Sequence, residues 1–532
     1  MPDALRSSVP VSLAILGSRV LGLAREVVFA ALFGAGAIAD AYQVAFRIPN
    51  LLRDLFAEGA LSSAFVPTFT AALQQDGRER AHVLADLVSA LLLLVTGAIT
   101  LAALVFAEPI VIAMTRSFAG DAAKLALAVE LTRTMLPILV LVSLAAVWAG
   151  MLNAQRRFVV PALAPAWFNL VSITGGVVIF AAGLAPRAAI VAWSAATTIA
   201  GAVQAGVQLR ALWRDGYRPR LRLRGAWQDP GVRRIAALIA PAVIGIAAVN
   251  LNVFINTGFA AALGDGPVAQ LSYAFRLFFL PLGVFGVAIA TVTTTSVSEQ
   301  AAKGDRAALA QRSADGVWAA AMLTSASAVG LFVLAEPIVR LVFRWGATTT
   351  ADAAAIAAVL QAYVLGLLPY ALVKVHAPAF YGVDRPRIPM VASLCGVAAN
   401  LAFNAATYRQ LGAPGIALGT TIGAVVNVAV LRLAYGRAIA PLPTEHRTRR
   451  IAALLLANLV LAAIAWASWR GGAWLGGGEG LRGRAIDLLS LVLAAALGLL
   501  AFTAVLAALD FPGAQKLRAM PWRMWARLRR RG

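Results

Sequence analysis

The sequence predicts an all-α polytopic membrane protein of about 14 transmembrane helices, laid out as two parallel six-helix lobes plus two C-terminal helices. Three observations lead there. Of the 532 residues, 61% are hydrophobic and 13% charged, and the apolar residues fall in long runs. Runs such as 84–106 and 488–509 lack the alternation of a barrel strand. That leaves helices, because hydrocarbon offers an unbonded backbone amide no partner. The chain also repeats itself at an offset of 228 or 229 residues, with six spans between the copies.

Taken in order, the candidate spans centre near residues 23, 57, 95, 138, 171, 200, 247, 283, 326, 367, 398, 425, 459 and 498. The first is too long, and too charged at Arg19, Arg25 and Glu26, for a cleaved signal peptide. Gly34 and Gly36 mark the loop before the second span. Inside the second, Pro49 removes a backbone bond and crowds the preceding turn, so a bend is expected. Later connections are short, and the longest polar one, about 213–232, is too small for a soluble domain.

Basic residues gather after every even-numbered span. Arg78 and Arg80 follow the second, Arg156 and Arg157 the fourth, and Arg214, Arg218, Arg220, Arg222 and Arg224 the sixth. Lys303, Arg306 and Arg312 follow the eighth, Arg385 and Arg387 the tenth, and Arg447, Arg449 and Arg450 the twelfth. The tail carries seven more between Lys516 and Arg531, while Arg482 and Arg484 are exceptions on the other side. The positive-inside rule puts both termini in the cytoplasm. The same rule accounts for the formal charge of +22 without nucleic acid as a partner.

The repeat sets the organisation. Ala45-Phe46-Arg47 recurs as Ala274-Phe275-Arg276, Ala107-Glu108-Pro109-Ile110-Val111 as 335–339, and the Arg157…Pro161 spacing as Arg385…Pro389. Six intervening spans bring both copies into the membrane the same way. Two-lobed transporters of this kind place their site near the midplane. The expected parts are an N-terminal lobe 1–215, a basic cytoplasmic linker 216–232, a C-terminal lobe 233–440, two additional helices 441–510 and a basic cytoplasmic tail 511–532.

Charge at membrane depth is costly and marks a water-filled path. Arg19, Arg25, Arg53 and Arg276 lie in such stretches, and their planar forks suit phosphate oxygens. At about 100° per residue, Arg19 and Glu26 share a helix face, and Asp40, Arg47, Asp54 and Glu58 share another, with Arg53 directed elsewhere. Asn50, after Pro49, and Lys374 are further cavity candidates. A structural ion pair or a snorkelling group remains the alternative for Glu26, Arg47, Asp54 and Lys374, and a solvated charge for Asp40.

Other chemistries lack residues. His82, His376 and His446 are far apart and without cysteine company, so no metal site is expected. Cys395 is alone, so no disulfide framework exists. No Gly-Lys dipeptide occurs, which removes a Walker A loop, and no hydrolase motif is present. The chain is expected to be a transporter rather than an enzyme, without a cofactor. Chloride beside the arginines and a cation at the acids both stay open as coupling ions.

Longer motifs then become recognisable. Ser18-Arg19-Val20-Leu21-Gly22, Ala24-Arg25-Glu26, Phe33-Gly34-Ala35-Gly36 and Asp40-Ala41 resemble the opening of the MurJ (MviN) lipid II flippases. The run from Val44 through Ile48-Pro49-Asn50-Leu51-Leu52-Arg53 to Phe56-Ala57-Glu58-Gly59-Ala60 and Ala64-Phe65-Val66-Pro67 looks like that family's signature. The resemblance continues through Pro281-Leu282-Gly283-Val284-Phe285-Gly286-Val287-Ala288 and Ala377-Pro378-Ala379-Phe380-Tyr381. It implies a fourteen-helix member of the multidrug/oligosaccharidyl-lipid/polysaccharide exporter superfamily in the bacterial inner membrane. Such a protein moves lipid II, a peptidoglycan precursor on undecaprenyl diphosphate, from the cytoplasmic to the periplasmic leaflet by alternating access through a cationic central cavity, with cell-wall synthesis proteins as open further partners. By the same resemblance, Arg19, Arg25, Arg53 and Arg276 match essential cavity arginines, and Asp40 and Glu58 match acids of the outer gate and second span. The two extra helices would form a groove for the lipid tail. Three places depart from the family pattern: Phe275 for an aspartate, Phe279 for an acidic or polar residue, and Thr293-Thr294-Thr295 for a Leu-Pro ending. An exporter of drugs or of another lipid-linked glycan, and a non-transporting scaffold for envelope assembly, are the alternatives. The arginine-rich cavity argues against a cation exporter, which needs acids or aromatics.

Overall fold

The computed structural model describes residues 2–56, 60–283, 300, 305–443, 445–474 and 480–512. Among them the regular structure is helical throughout. The helices are α1 (Pro2–Phe33), α2 (Ala37–Phe56), α3 (Ala60–Gln75), α4 (Gly77–Val105), α5 (Ala107–Met114), α6 (Ala122–Met135), α7 (Ile138–Ala154), α8 (Val159–Ala181) and α9 (Pro186–Arg214). They continue as α10 (Pro230–Ala261), α11 (Pro267–Pro281), α12 (Arg306–Val333), α13 (Ala335–Phe343), α14 (Thr350–Val364), α15 (Leu367–Gly382), α16 (Arg387–Ala438), α17 (Arg447–Trp474) and α18 (Leu481–Ala508).

Among the described residues, nine helical segments are long and apolar enough to cross a bilayer. One of them, α16, is two helices joined at Gly412, whose φ of 61° and ψ of −150° break the spiral. A straight helix of that length would run about 78 Å, well beyond a hydrocarbon core of roughly 30 Å. The helices near residues 23, 57, 247 and 283 are not among the nine. Charges interrupt the first two, and the described residues cover the side chains of α10 and the continuation of α11 only in part.

The duplication seen in sequence is built into the backbone. Before each Ala-Glu-Pro-Ile-Val copy the chain leaves the helix, at Phe106 (φ −93°, ψ 23°) and at Leu334 (φ −99°, ψ 17°). The break puts Pro109 and Pro337 in the first turn of α5 and α13, where a missing N–H costs nothing. The second pair of copies closes α7 and α15 alike. Arg156 and Asp384 turn left-handed at φ 62° and 54°. The next amides, of Arg157 and Arg385, return to the Leu152 and Phe380 carbonyls at 2.8 Å each. This six-to-one closure satisfies carbonyls that a helix end otherwise leaves open.

Two compact units emerge: Met1–Ala269 with Trp345–Thr348, and Gln270–Arg344 with Thr349–Gly532. In the first, α10 packs on α3 and α2, so this unit extends past the 216–232 segment to Ala269. Its apolar core joins Leu61, Phe65 and Phe69 of α3 to Leu84 and Val88 of α4, Trp148 and Met151 of α7, and Ile235 of α10. In the second, α17 and α18 pair with each other and pack on α12 through Met322, Leu454, Leu461, Phe502 and Leu506.

One contact in the first unit comes from far along the chain. The Ala347 amide donates to the Ala31 carbonyl at 2.8 Å, and the Thr348 hydroxyl donates to the Ala30 carbonyl at 2.8 Å. These bonds give the Ala31 carbonyl a partner at the end of α1 and add a second donor to the Ala30 carbonyl, which already accepts the Gly34 amide. Gly346, at φ 52°, makes the approach possible, because a Cβ there would stand 2.2 Å from the Ala31 carbonyl oxygen. Gly346→Ala is therefore expected to lower stability by about 2 kcal/mol or more. Unfolding of the purified protein in detergent measures it, and an unchanged midpoint would refute the clasp.

Candidate functional site

The charged stretch of α1 packs against α8. Gly22 has no side chain, and a Cβ in its place would meet the Asn169 amide of α8 at 3.4 Å. Asn169 Nδ2 donates to the Ser18 carbonyl at 3.1 Å. Small residues allow such contact where lipid supplies no hydrophobic drive between helices. Gly22 thereby leaves room for Asn169 beside the turn that carries Arg19.

Arg25 is buried and bonds the neighbouring carboxylate, Nη2 to Glu26 Oε1 at 2.6 Å. Its guanidinium also lies 5.7 Å from the Phe46 ring centre and 5.6 Å from that of Phe168. Phe46 stacks on Tyr42 at 5.7 Å, and Tyr42 shares a 3.3 Å hydrogen bond with Thr197. Ion pair and aromatic faces together compensate the lost hydration of a buried cation. Arg19 differs. It is half-buried, and among the described residues it has neither an ion pair nor a hydrogen bond. A permanent charge held this way needs water or an anion.

On α2 the geometry departs from helical-wheel expectation. Arg53, expected to point away from Asp54, folds back on it, with Nη2 at 2.8 Å and Nε at 3.2 Å from one carboxylate oxygen. A long arginine can round the helix to an adjacent acid, and weak screening rewards the move. Arg47 donates to the Thr257 hydroxyl on α10. Asn50 is half-buried without a hydrogen bond among the described residues. Glu58 lies outside the described residues. Two of the four key arginines are thus paired with a neighbouring acid, although arginines outnumber acids in the sequence.

Asp40 is fully buried rather than solvated. Its carboxylate accepts the Gly266 amide at 2.7 Å and the Ala269 amide at 2.8 Å, at the start of α11. Lys124 of α6 stands 3.5 Å away and reaches Asp265 at 2.7 Å. The Lys124 ammonium also sits 4.4 Å from the Phe118 ring centre. A negative group at a helix start meets unbonded amides and the positive end of the dipole. The arrangement ties α2, α6 and the start of α11 into one charged knot. Sequence reasoning missed Lys124 and Asp265, since a lysine in a first helical turn gives no sign of a partner distant in sequence.

In the second unit, Arg276 is half-buried on α11. Phe275 and Phe279, the residues that depart from the family pattern, stack at 5.9 Å, and Phe275 meets Tyr363 of α14 edge-on at 5.6 Å. Phe278 packs on Tyr363 and Tyr370. Where an acid was expected beside the arginine, an aromatic wall stands instead. Lys374 is half-buried on α15. Thr293-Thr294-Thr295 and the basic tail from 513 onward lie outside the described residues.

Comparison with known proteins agrees with this architecture. The sequence model of the family described as "Lipid II flippase MurJ" matches residues 29–475. A probable lipid II flippase MurJ of Rhizobium meliloti is 34% identical over 500 residues, 91% of this chain and 90% of its own. A lipid II flippase MurJ of Burkholderia cenocepacia is 32% identical over 464 residues, 87% of this chain and 89% of its own. Among solved structures, a lipid II flippase MurJ in an inward closed conformation superposes with a TM-score of 0.77 at 22% identity, covering 93% of this chain and 98% of that one. An inward-facing multidrug resistance transporter of the MATE family and MOP superfamily gives 0.66 at 18% identity, covering 80% and 96%. With its family signature matched over most of its length, the chain belongs to the lipid II flippase MurJ family, transporters rather than enzymes.

Proposed function

We propose that this protein carries lipid II from the cytoplasmic to the periplasmic leaflet of the inner membrane by alternating access, with both termini in the cytoplasm. The observation that carries the reading is Arg19, a half-buried cation without a partner in an apolar helix, one and a half turns before the paired Arg25. The diphosphate is the part of the substrate that hydrocarbon rejects most strongly, and a hydrated guanidinium lowers that cost. In this reading Arg19 takes phosphate oxygens first. Arg25 and Arg53 join by trading Glu26 and Asp54 for the substrate, and Arg276 is a further candidate ligand by the family resemblance. The polyprenyl tail stays in lipid.

The knot of Asp40, Lys124 and Asp265 holds α2, α6 and the start of α11 together and must loosen for release on the outer side. No cofactor enters this cycle. Membrane potential can bias any step that moves charge, by about 2.3 kcal/mol per charge per 100 mV. Rescue of cells depleted of their own flippase tests the proposal, with lipid-linked precursor measured in each leaflet. The expected result is growth with the wild-type chain and precursor trapped inside with Arg19→Ala or Arg276→Ala. Growth with both variants at normal expression would refute it.

A further inference from the structure

The basic segment between α9 and α10 is pinned to the helices beside it as a strap. Tyr217 is buried and its hydroxyl donates to Asp86 Oδ1 of α4 at 2.8 Å. Burial, reinforced by that hydrogen bond, raises the Tyr217 phenol far above its usual range, so it stays protonated as the donor. The same carboxylate accepts the Arg220 amide at 3.1 Å, and Arg222 Nε lies 3.5 Å from its other oxygen. At the two ends, Asp215 pairs with Arg157 at 2.6 Å, and Asp229 pairs with Arg80 and caps α10 through the Val232 amide. Ala226 is buried in the same apolar core as Tyr217.

Pinned like this, the strap turns its remaining side chains outward. Leu221 is 78% exposed, Trp227 62% and Leu223 49%. Residues 216–228 hold Arg218, Arg220, Arg222 and Arg224 and no acid. The side chains of Arg220 and Arg224 have no partner among the described residues. Three large apolar groups held in water beside unsatisfied cations oppose folding unless something apolar and anionic covers them.

The depth of the strap identifies the cover. It is fastened to Arg80 and Asp86, within the first ten residues of α4, and it joins two helix ends of one unit. That is headgroup level, where leucine and tryptophan enter the acyl boundary and arginine meets phosphate. We propose that residues 217–227 form a preformed interfacial anchor that binds anionic phospholipid headgroups of the cytoplasmic leaflet. The sidedness rests on the orientation given under Proposed function. The depth and the charge do not.

The experiment uses the full chain with Cys395→Ser and one new cysteine, Leu221→Cys or Leu223→Cys, carrying an environment-sensitive dye in lipid nanodiscs. Gln228→Cys is the aqueous control. In discs containing phosphatidylglycerol, the dye at 221 and 223 should shift to the blue and be quenched by doxyl-labelled lipid, while iodide quenches only the dye at 228. In phosphatidylcholine discs lipid quenching should weaken, and high salt should weaken it in the anionic discs. Arg218→Gln, Arg220→Gln and Arg224→Gln, all exposed and safe for folding, should reduce the population in contact with lipid by about fivefold each. Iodide access at 221 and 223 in both disc types would overturn the anchor. So would lipid quenching that ignores both the phosphatidylglycerol and the arginines. Labelling of Gln228→Cys in intact cells by a membrane-impermeant maleimide would overturn the orientation alone, because nanodiscs expose both faces.

Discussion

Arg19→Ala should cut flipping roughly a hundredfold and leave the fold intact, whereas Arg25→Ala should damage both. The two arginines lie six residues apart on α1, yet their surroundings differ. Arg19 has no partner among the described residues, so its removal breaks no internal contact, and stability should stay within about 0.5 kcal/mol of wild type. The substrate phosphate loses one or two charge-assisted hydrogen bonds, worth about 3 kcal/mol together, or roughly a hundredfold in transport. Arg25→Ala strips Glu26 of a 2.6 Å ion pair in a buried setting, at a cost of about 3 kcal/mol in stability. The double variant Arg25→Ala with Glu26→Ala should recover much of that stability and none of the transport. Unfolding in detergent and growth of flippase-depleted cells read the two effects separately. If Arg19→Ala unfolds the protein, or the double variant restores growth, the division of roles is wrong.

The second large effect is expected at Asp40. Asp40→Ala removes a buried carboxylate that accepts two backbone amides, at 2.7 and 2.8 Å, and faces Lys124 at 3.5 Å. Loss of those bonds should cost about 3 to 5 kcal/mol. Asp40→Asn keeps an oxygen for one of the two amides, turns a donor toward the other and gives up the charge, so it should fall between alanine and wild type. Lys124→Met leaves Asp40 charged and buried without its cation, and should destabilise by a comparable amount. The double variant Asp40→Asn with Lys124→Met should be more stable than the two losses added together, by about 1 kcal/mol or more. Strict additivity in that cycle would mean the two groups do not act together, and the knot would then fail as a gate element.

Much of the fold could be read ahead of the structure because lipid imposes coarse rules. Apolar runs had to be helices, and the repeated Ala-Glu-Pro-Ile-Val could be located by letters alone. The purpose of that motif could not. It marks the point where α4 breaks into α5 and α12 into α13, and only the backbone angles at Phe106 and Leu334 reveal the break. The arginines were legible as charges out of place. Which acid each one meets was not, since Arg53 reaches its neighbour by rotating its own bonds, and a helical wheel holds no rotamers.

Composition and spacing by themselves determined a helical, duplicated membrane protein with cationic residues inside apolar helices. Both follow from properties local to the chain: hydropathy along a helix and the energetic penalty of charge in oil. Tertiary structure alone decided that Asp40 is a buried helix cap rather than a solvated charge, that Lys124 is its cation, and that Asp86 fastens a basic strap. Each of these joins residues from 84 to 229 positions apart, a separation no local pattern records, and each is set by which backbone amides and charges the packed helices bring within 3 or 4 Å.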